Sequence, residues 1–439
     1  MTPHEYLNSF TNFETRLHKL NTKEFDLSRV VELLGYLGDP HKKLKVIHVA
    51  GTKGKGSTCA FISHILAAGG LKVGLYTSPH LHKVNERIRM LDQAAFNGKG
   101  DFHGCISDEQ LAQVINDLRP HIAAMINRGL FLTYFEVLTV AAFTFFSRQN
   151  LDWVVLETGL GGRLDATNVT ESLVAVLTPM SFDHASILGK TLEEIAAEKA
   201  GIIKSSRQKV VIAPQRPQVM EVLSRRCREF GIVPVLVEPS PAQELKISLK
   251  GDHQKVNALT AVRAVALLEG WGCQVTPEAV TKGLKRTRWP GRFEILNGPA
   301  RGELGAGPLI IADGAHNEAS ARALAKTIAD EYLERKVVFV LGFSTDKDIA
   351  AIVRELKSVA SVMILTKADH PRAHAFTVQE AGALLTDKIS FMVDNVAGAL
   401  NLALSKASKN DMIVVAGSLF VVAEARTWAA SIHVPTPIH

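Results

Sequence analysis

The sequence predicts an α/β protein with two domains, and three observations support this prediction. Short β-branched runs alternate with amphipathic segments along all 439 residues, as in parallel strands joined by helical crossovers. These runs form two separate series, one within residues 44–213 and one within residues 309–416. Between the series, residues 286–308 are rich in Gly, Pro and Arg and have little helical periodicity. We therefore expect a domain of residues 1–292, a linker of residues 293–307 and a smaller domain of residues 308–439.

The individual elements follow from the same alternation. Helices are expected at residues 57–68, 136–148 and 191–201, and right-handed crossovers between parallel strands give a doubly wound sheet. The runs predicted as buried strands are residues 44–50, 72–76, 153–157, 173–177 and 209–213 in the first series, and 309–312, 337–341, 362–366 and 412–416 in the second.

Composition excludes several classes of protein. The net charge of +6 is spread over a long chain without a dense basic run, so we expect no nucleic-acid partner. No apolar run reaches the roughly 20 residues of a membrane helix, and the N-terminus lacks the pattern of a signal peptide. The four cysteines form no CxxC pair and indicate reduced thiols. We expect a cytoplasmic protein, without membrane partners and monomeric.

A glycine-rich loop, GTKGKGST at residues 51–58, follows the first predicted strand and precedes an apolar helix. Its glycines let successive N–H groups face phosphate oxygens, and the helix N-terminus adds a positive dipole end. Lys55 is placed to reach the β- and γ-phosphates of a nucleotide, and the Ser57 hydroxyl to hold Mg²⁺. The alternative is an ordinary glycine-rich turn. The residues expected to bind ATP here are Gly51, Thr52, Gly54, Lys55, Gly56, Ser57 and Thr58.

Further motifs give the sequence a family resemblance. Together with a loop similar to the GTNGKGS type, their order resembles the folylpolyglutamate synthase/dihydrofolate synthase family, relatives of the Mur ligases, over nearly the whole chain. The resemblance implies a P-loop ATPase-like first domain with a parallel sheet and a Rossmann-like α/β second domain. The motifs are TSPHL at 77–81, NERI at 85–88, ETGLGGRLDATN at 157–168, DH at 183–184, EKAGI at 198–202, DGAHN at 313–317 and GSLF at 417–420.

A metal site is expected near Glu157, which ends an apolar strand where ligand sites of open α/β sheets gather. From the residues alone, a satisfied Glu at a strand end is the alternative, and His184 is more readily a structural histidine, because Mg²⁺ prefers oxygen ligands. The resemblance implies two Mg²⁺ ions with Ser57, Ser78, Glu157 and His184 among their ligands.

Lys199 lies at the end of a well-marked helical segment, in which Thr191 and Glu194 form a capping box and Gly201 is a C-terminal cap. A solvated cation at a helix C-terminus is the ordinary explanation of such a lysine. The resemblance implies instead that Lys199 is carbamylated, with its anionic carbamate near the γ-phosphate.

Two segments are candidates for the acceptor pocket. In Thr133, Tyr134, Phe135 and Glu136, aromatic rings beside a carboxylate suit a pterin ring, but a helix start whose aromatics enter the core fits equally well. Phe135 is expected in the core. The resemblance places this segment and the turn Leu164, Asp165 and Ala166 in the pteroate pocket.

Later residues are assigned to the rest of the nucleotide site by resemblance. Asn257 is expected just before a helix, Arg292 at the linker, and Asp313 at the end of a strand, so that ATP contacts both domains. His316 resembles a residue near glutamate or the nucleotide, and we count it with Lys55 and Lys199 as catalytic.

The resemblance implies an ATP-dependent amide ligase that adds L-glutamate to dihydropteroate, a reduced folate or both, through an acyl phosphate. Two alternatives stay open. A Mur-type ligase of UDP-sugar peptides shares the chemistry, although the phosphate loop begins only about fifty residues into the chain, leaving no separate UDP-binding domain. A P-loop ATPase that couples hydrolysis to partner binding would turn over ATP without glutamate.

Overall fold

The computed structural model describes residues 1–14, 26–98, 100–183, 185–240, 244–296, 307–385 and 389–432. The chain divides into two compact units. Unit 1 comprises Met1–Ser248 and His253–Arg288, and unit 2 comprises Leu249–Asp252 and Trp289–His439. Most of the expected linker, residues 297–306, lies outside the described residues.

Unit 1 contains, in its described part, a seven-stranded sheet in the order β3-β2-β4-β1-β5-β6-β7. All neighbouring strands are parallel except β2 and β3. Every residue of the central strand is buried, because helices cover both faces of the sheet. The strands are β1 (Val46–Ala50), β2 (Val73–Tyr76), β3 (Ile88–Leu91), β4 (Trp153–Glu157), β5 (Val174–Leu177), β6 (Lys209–Ile212) and β7 (Val235–Leu236).

The helices of unit 1 lie in two layers. α5 and α6 contribute to one hydrophobic core, and α8 and α9 to another. In this part of the chain, none of the described helices combines the length and apolar character of a membrane span. The helices are α1 (Pro3–Asn8), α2 (Ser28–Tyr36), α3 (Lys55–Ala68), α4 (Gln93–Asn97), α5 (Asp108–Asn127), α6 (Tyr134–Ser147), α7 (Ala185–Leu188), α8 (Leu192–Ala200), α9 (Pro217–Glu229), α10 (Asp252–Ala266) and α11 (Pro277–Arg286).

Unit 2 has its own sheet, in the order β12-β11-β10-β13-β9-β8 among the described residues, with β8 antiparallel to β9. Its core lies between this sheet and helices such as α12 and α13. The strands are β8 (Glu294–Ile295), β9 (Leu309–Ala312), β10 (Val337–Leu341), β11 (Val362–Thr366), β12 (Ile389–Val393) and β13 (Met412–Ala416). The helices are α12 (Glu318–Glu331), α13 (Ile349–Lys357), α14 (Val378–Leu384), α15 (Val396–Lys406) and α16 (Leu419–Ile432).

The predicted α/β class is confirmed, and the predicted strands are present within two residues of their expected bounds. None of the four edge strands of the described sheets, β3, β7, β8 and β12, was predicted. β12 is the clearest case: its residues are exposed or half-buried, and Ser390 interrupts the apolar run that a buried parallel strand would have.

Gly201 caps α8 as the sequence predicts, but the structural reason for glycine at this position differs from the expected one. It does cap α8, and Thr191 and Glu194 do form the capping box at the other end. However, its backbone is right-handed, with φ −60°, so the position needs no left-handed glycine. The requirement is space, since a Cβ at Gly201 would lie 2.5 Å from the Arg163 Cα.

Gly201→Ala should therefore destabilise unit 1, by about 1–3 kcal/mol, because the Arg163 backbone must move to admit the methyl group. Denaturant unfolding measures this change. Gly35→Ala is the matched control, since a Cβ there meets nothing within 4 Å and Gly35 lies inside α2. The control should be neutral or slightly stabilising, because alanine has the higher helix propensity. Equal effects of the two substitutions would contradict this explanation.

Candidate nucleotide and acceptor site

The glycine-rich loop connects β1 to α3 as predicted. Gly54 precedes the helix with φ +82°, and no side chain among the described residues caps the helix. The N–H groups of the first helical turn, which have no partner within a helix, are thus presented to an anion together with the positive end of the helix dipole. Gly54 also lies against Asn257, because a Cβ at Gly54 would be 2.2 Å from the Asn257 Oδ1.

Asn257 lies in the second turn of α10, which begins at Asp252. The expectation that Asn257 precedes the helix was therefore wrong, since Gln254 and Asn257 are buried within it. The amide of Asn257 donates to the Gln254 Oε1 at 3.0 Å, which fixes its orientation beside the phosphate loop. The structure thus places this predicted nucleotide contact in unit 1, next to Gly54.

Lys55 and Glu157 meet at the ends of their elements. The Lys55 Nζ is 3.9 Å from the Glu157 Oε1, and the Glu157 side chain is only 6% exposed. The backbone N–H of Ser78 donates to the other carboxylate oxygen at 3.2 Å. Three residues that the sequence assigned to phosphate and metal chemistry are therefore brought together at the carboxyl ends of β2 and β4.

Whether these residues fit a magnesium ion depends on their donor atoms. No three described His, Cys, Asp or Glu side chains lie close enough together to hold a metal by themselves. Mg²⁺ beside a nucleotide needs only one or two carboxylates, since phosphates and water complete its shell. Ser57, buried in the first turn of α3, and Glu157 offer suitable oxygens. His184, the fourth expected ligand, lies outside the described residues.

Lys199 is buried rather than solvated. It lies in the last turn of α8 with 5% of its surface exposed, and its Nζ donates to the Gly51 carbonyl at 2.9 Å. Burial and the nearby charge of Lys55 lower the pKa of Lys199 to about 7, against the opposing charge of Asp183. A large share of the side chain is therefore a neutral amine at neutral pH.

The segment at the start of α6 uses most of its polar groups internally. Thr133 caps the helix, and the Glu136 carboxylate accepts the Thr133 N–H at 2.6 Å while pairing with Arg29 at 3.0 Å. Tyr134 is buried, and Phe135 is partly buried and packs against the same hydrophobic core, so its expected place in the core is confirmed in part. Its ring lies against Gly159, where a Cβ would be 2.5 Å from the Phe135 Cζ.

The turn at residues 164–166 is organised by Asp165. Its carboxylate accepts hydrogen bonds from the N–H of Leu160 at 2.8 Å and the N–H of Thr167 at 3.0 Å. Burial raises the pKa of Asp165, although these hydrogen bonds oppose the rise. Asp165 therefore holds the loop after β4 in shape, whereas Leu164 beside it is partly exposed and Ala166 is buried.

Three further candidates cluster in unit 2. Asp313 follows β9, and its carboxylate accepts the N–H of Phe293 at 2.7 Å and of Ala315 at 2.8 Å. Arg292 lies against Gly314, since a Cβ there would be 2.4 Å from the Arg292 Nη1. The His316 Nδ1 is 2.7 Å from the Gly314 carbonyl oxygen. Asp313 thereby holds the backbone of Phe293, whose φ of +44° is unusual for a residue with a bulky side chain.

Sequence reasoning missed some residues of this site. Lys53 was not selected, although its Nζ pairs with Asp183 at 3.2 Å. Arg29 was missed as the partner of Glu136. The signal for Lys53 was its position in the phosphate loop, but nothing in the sequence indicates which carboxylate it meets. Thr58 was selected, yet its hydroxyl is buried without a hydrogen-bond partner among the described residues.

Comparisons with known proteins identify relatives of this chain. A family model described as the Mur ligase glutamate ligase domain matches residues 291–419. The dihydrofolate synthase/folylpolyglutamate synthase of Bacillus subtilis is 33% identical over 426 residues, covering 91% of this chain and 94% of that protein. The protein of the same name from Escherichia coli is 32% identical over 431 residues, covering 95% and 94%.

Solved structures are similar over almost the same length. Mycobacterium tuberculosis folylpolyglutamate synthase complexed with ADP has a TM-score of 0.83 and 29% identity, covering 97% of each chain. Escherichia coli FolC in complex with DHPP and ADP has a TM-score of 0.80 and 29% identity, covering 98% of each chain.

Proposed function

The chain belongs to the dihydrofolate synthase/folylpolyglutamate synthase family of ATP-dependent ligases, and on that premise we propose that it joins L-glutamate to dihydropteroate, to a reduced folate, or to both. One observation carries most weight. Lys55, in the first turn of α3, faces the buried carboxylate of Glu157 at 3.9 Å, which puts a cation able to bind phosphate beside a carboxylate able to bind a divalent cation. The match of residues 291–419 to a glutamate ligase domain supports glutamate as the second substrate.

The reaction has two steps. The acceptor carboxylate takes the γ-phosphoryl group of ATP, giving an acyl phosphate and ADP, and the glutamate amine then displaces phosphate to form the amide. Lys55 and the N–H groups at the start of α3 hold the transferred phosphoryl group and balance its charge. The rest of the rate acceleration comes from positioning the glutamate nitrogen against the carbonyl carbon of the acyl phosphate.

Magnesium is proposed as the cofactor, in one or two ions. Ser57, Ser78, Glu157 and His184 are the residues we assign to it. When bound, Mg²⁺ neutralises phosphate charge as the phosphoryl group moves. Glu157 keeps its carboxylate in place by accepting the Ser78 N–H, so the same contact positions both residues of the set.

We assign Lys199 a carbamate. Its amine is neutral in large part near pH 7, so its nitrogen can attack CO₂ and lose a proton to give an anionic carbamate. The lysines that lower its pKa, Lys55 and Lys53, would then stabilise the new negative charge. Burial protects the product from water.

Carbamylation at Lys199 is expected to increase as the pH rises through about 7 at a fixed CO₂ pressure, because only the neutral amine reacts. Carbon-13 NMR with labelled CO₂ measures the carbamate directly. Lys199→Ala should lose the signal and most activity, and a short carboxylic acid should restore part of the activity. Full activity of Lys199→Ala without an added carboxylate would contradict the assignment.

The acceptor is assigned to the surface near α6 and the loop after β4. The Phe135 ring packs against Gly159 and is partly exposed. It is therefore the aromatic side chain that we assign to a pterin ring. The pocket is also shaped by the residues around Phe135. The start of α6 is shaped by Thr133, Tyr134 and Glu136, and the turn after β4 by Leu164, Asp165 and Ala166. The pairing of Arg29 with Glu136 supports this division, because it occupies the carboxylate.

The remaining nucleotide contacts are proposals of the same kind. Asn257 is assigned to the nucleotide because its amide touches Gly54. Arg292, Asp313 and His316 are assigned to ATP or glutamate because they surround one glycine turn after β9. We also propose a cytoplasmic monomer; all four cysteines are free thiols, in agreement with a reducing compartment.

A substrate matrix tests this function. The purified chain with ATP and Mg²⁺ is given dihydropteroate, tetrahydrofolate and L-glutamate singly and in every combination, and products are identified by mass spectrometry. We expect a glutamyl amide only when ATP, glutamate and a pteroate or folate are all present. Amide formation with both acceptors means a bifunctional enzyme. A further reaction offers a UDP-sugar peptide as the acceptor, and amide formation with that acceptor alone would favour the Mur-type alternative.

A further inference from the structure

The first half of the phosphate loop is tied to the segment that follows β5. The backbone N–H groups of Thr52 and Lys53 both donate to the Pro179 carbonyl, at 3.1 and 3.0 Å. The Thr52 hydroxyl donates to the Ser181 carbonyl at 3.1 Å. These N–H groups are therefore committed, and phosphate must be bound by those that follow Gly54.

An ion pair between Lys53 and Asp183 also joins the phosphate loop to the segment after β5. The Lys53 Nζ donates to the Asp183 Oδ2 at 3.2 Å, and the two side chains are 25% and 15% exposed. A pair that is largely shielded from water is stronger than a surface pair.

Two roles are open to such a lysine. It can contact the phosphates itself, as Lys55 does, or it can hold the loop in place through Asp183. The geometry favours the second role. The Lys53 backbone already turns towards Pro179, and its amine ends on the same segment, so both ends of the residue contact residues 179–183.

We propose that Lys53 is a positioning residue, which acts by balancing the charge of Asp183 and fixing residues 51–53 against residues 179–183. This proposal rests on the proposed function only in one respect, namely that the loop binds a nucleotide. The pair then sets where the N–H groups of the first turn of α3 point. Without Lys53, the Asp183 carboxylate would also repel an incoming phosphate.

This role gives an unusual pattern of mutant effects. Lys53→Asn removes the ion pair and leaves Asp183 charged, so it should weaken nucleotide binding more than Asp183→Asn does. Asp183→Asn removes the tie but also the repelling charge, so it should do less damage. The double variant should resemble Asp183→Asn, because the two residues act as one unit. A direct phosphate contact predicts the reverse, with the double variant resembling Lys53→Asn.

The test is nucleotide binding without any acceptor, measured by calorimetry with ADP and Mg²⁺. Lys53→Asn should weaken binding by about 10-fold or more, and the double variant by about 3-fold. Lys250→Asn is the matched control, since Lys250 pairs with Glu331 at 2.8 Å in unit 2 and should leave binding unchanged. Thermal unfolding of each variant separates loss of binding from loss of the fold.

Two results would overturn the proposal: a double variant that binds as weakly as Lys53→Asn, or an Asp183→Asn variant that binds as tightly as the unchanged chain. The second comparison decides the matter even when Lys53→Asn fails to fold. Because the assay contains no acceptor or glutamate, it is independent of whether the chain is a glutamate ligase. A chain that shows the expected pattern but forms no amide would refute the proposed function alone.

Discussion

Lys55→Ala is expected to abolish turnover, with a fall in kcat of about 1,000-fold or more, while the protein remains folded. The side chain lies in the first turn of α3, 18% exposed, and is not part of the hydrophobic cores described above for unit 1. What it contributes is charge, 3.9 Å from the Glu157 carboxylate. Initial rates of phosphate release measure the effect, and circular dichroism with thermal unfolding measures the fold.

The same substitution has a second expected consequence. Lys55 is the charge that most lowers the pKa of Lys199 after burial itself, so its removal should raise that pKa and reduce carbamylation. The carbamate NMR signal of Lys55→Ala should therefore be weaker at neutral pH than that of the unchanged chain. An unfolded Lys55→Ala variant, or a folded one with normal activity, would contradict the role assigned to this lysine.

Glu157→Gln is expected to lower the rate by about 100-fold, since it removes one formal charge from an electrostatic site and keeps the shape of the side chain. The residue is 5% exposed at the end of β4, so the substitution acts locally. Nucleotide binding should respond less to Mg²⁺, which a titration of binding against Mg²⁺ concentration measures. An unchanged titration would make Glu157 a structural residue.

Glu86→Gln is the matched control for that experiment. Glu86 is also buried, but its carboxylate accepts the backbone N–H groups of Leu81, His82 and Lys83. Its replacement should reduce stability, because charged acceptors bind N–H groups more strongly than neutral ones, and should leave the Mg²⁺ titration unchanged. The two variants thus separate a carboxylate that binds a cation from one that holds a loop.

The sequence predicts the central strands well and the edges poorly, for a physical reason. β10 and β13 are buried on both faces, so each reads as a continuous apolar run. Among the described strands, β12 pairs with β11 alone and its residues are exposed or half-buried. Ser390 interrupts its short apolar run ISFMV, and a loop allows such a run as well. The same argument covers β7 and β8, which have two residues each.

The site could be predicted as far as loops and strand ends determine it. Lys55, Ser78 and Glu157 follow or end β1, β2 and β4, three strands that run parallel in one sheet, so the topology brings them together. The burial of Lys199 could not be predicted, because a lysine in the last turn of a helix is usually solvated. Only the tertiary contact with the Gly51 carbonyl reveals it.

Residues that combine a polar side chain with an internal partner were the hardest to assign. Asp165 and Glu136 were selected for a substrate, yet each accepts backbone hydrogen bonds within its own segment. A sequence shows that a carboxylate is present, but not whether a backbone N–H already occupies it. The capping box of Thr133 and Glu136 was detectable from its spacing, whereas the pairing of Glu136 with Arg29 spans 107 residues and was not.

The most direct measurement of the central claim follows oxygen from the acceptor into phosphate. Dihydropteroate or tetrahydrofolate with an ¹⁸O-labelled reacting carboxylate is incubated with the chain, ATP, Mg²⁺ and L-glutamate, and the released phosphate is analysed by mass spectrometry. Transfer through an acyl phosphate predicts one labelled oxygen in each phosphate and one in the amide carbonyl. Phosphate released without label, at a rate that does not depend on glutamate, would contradict the account and indicate an ATPase instead.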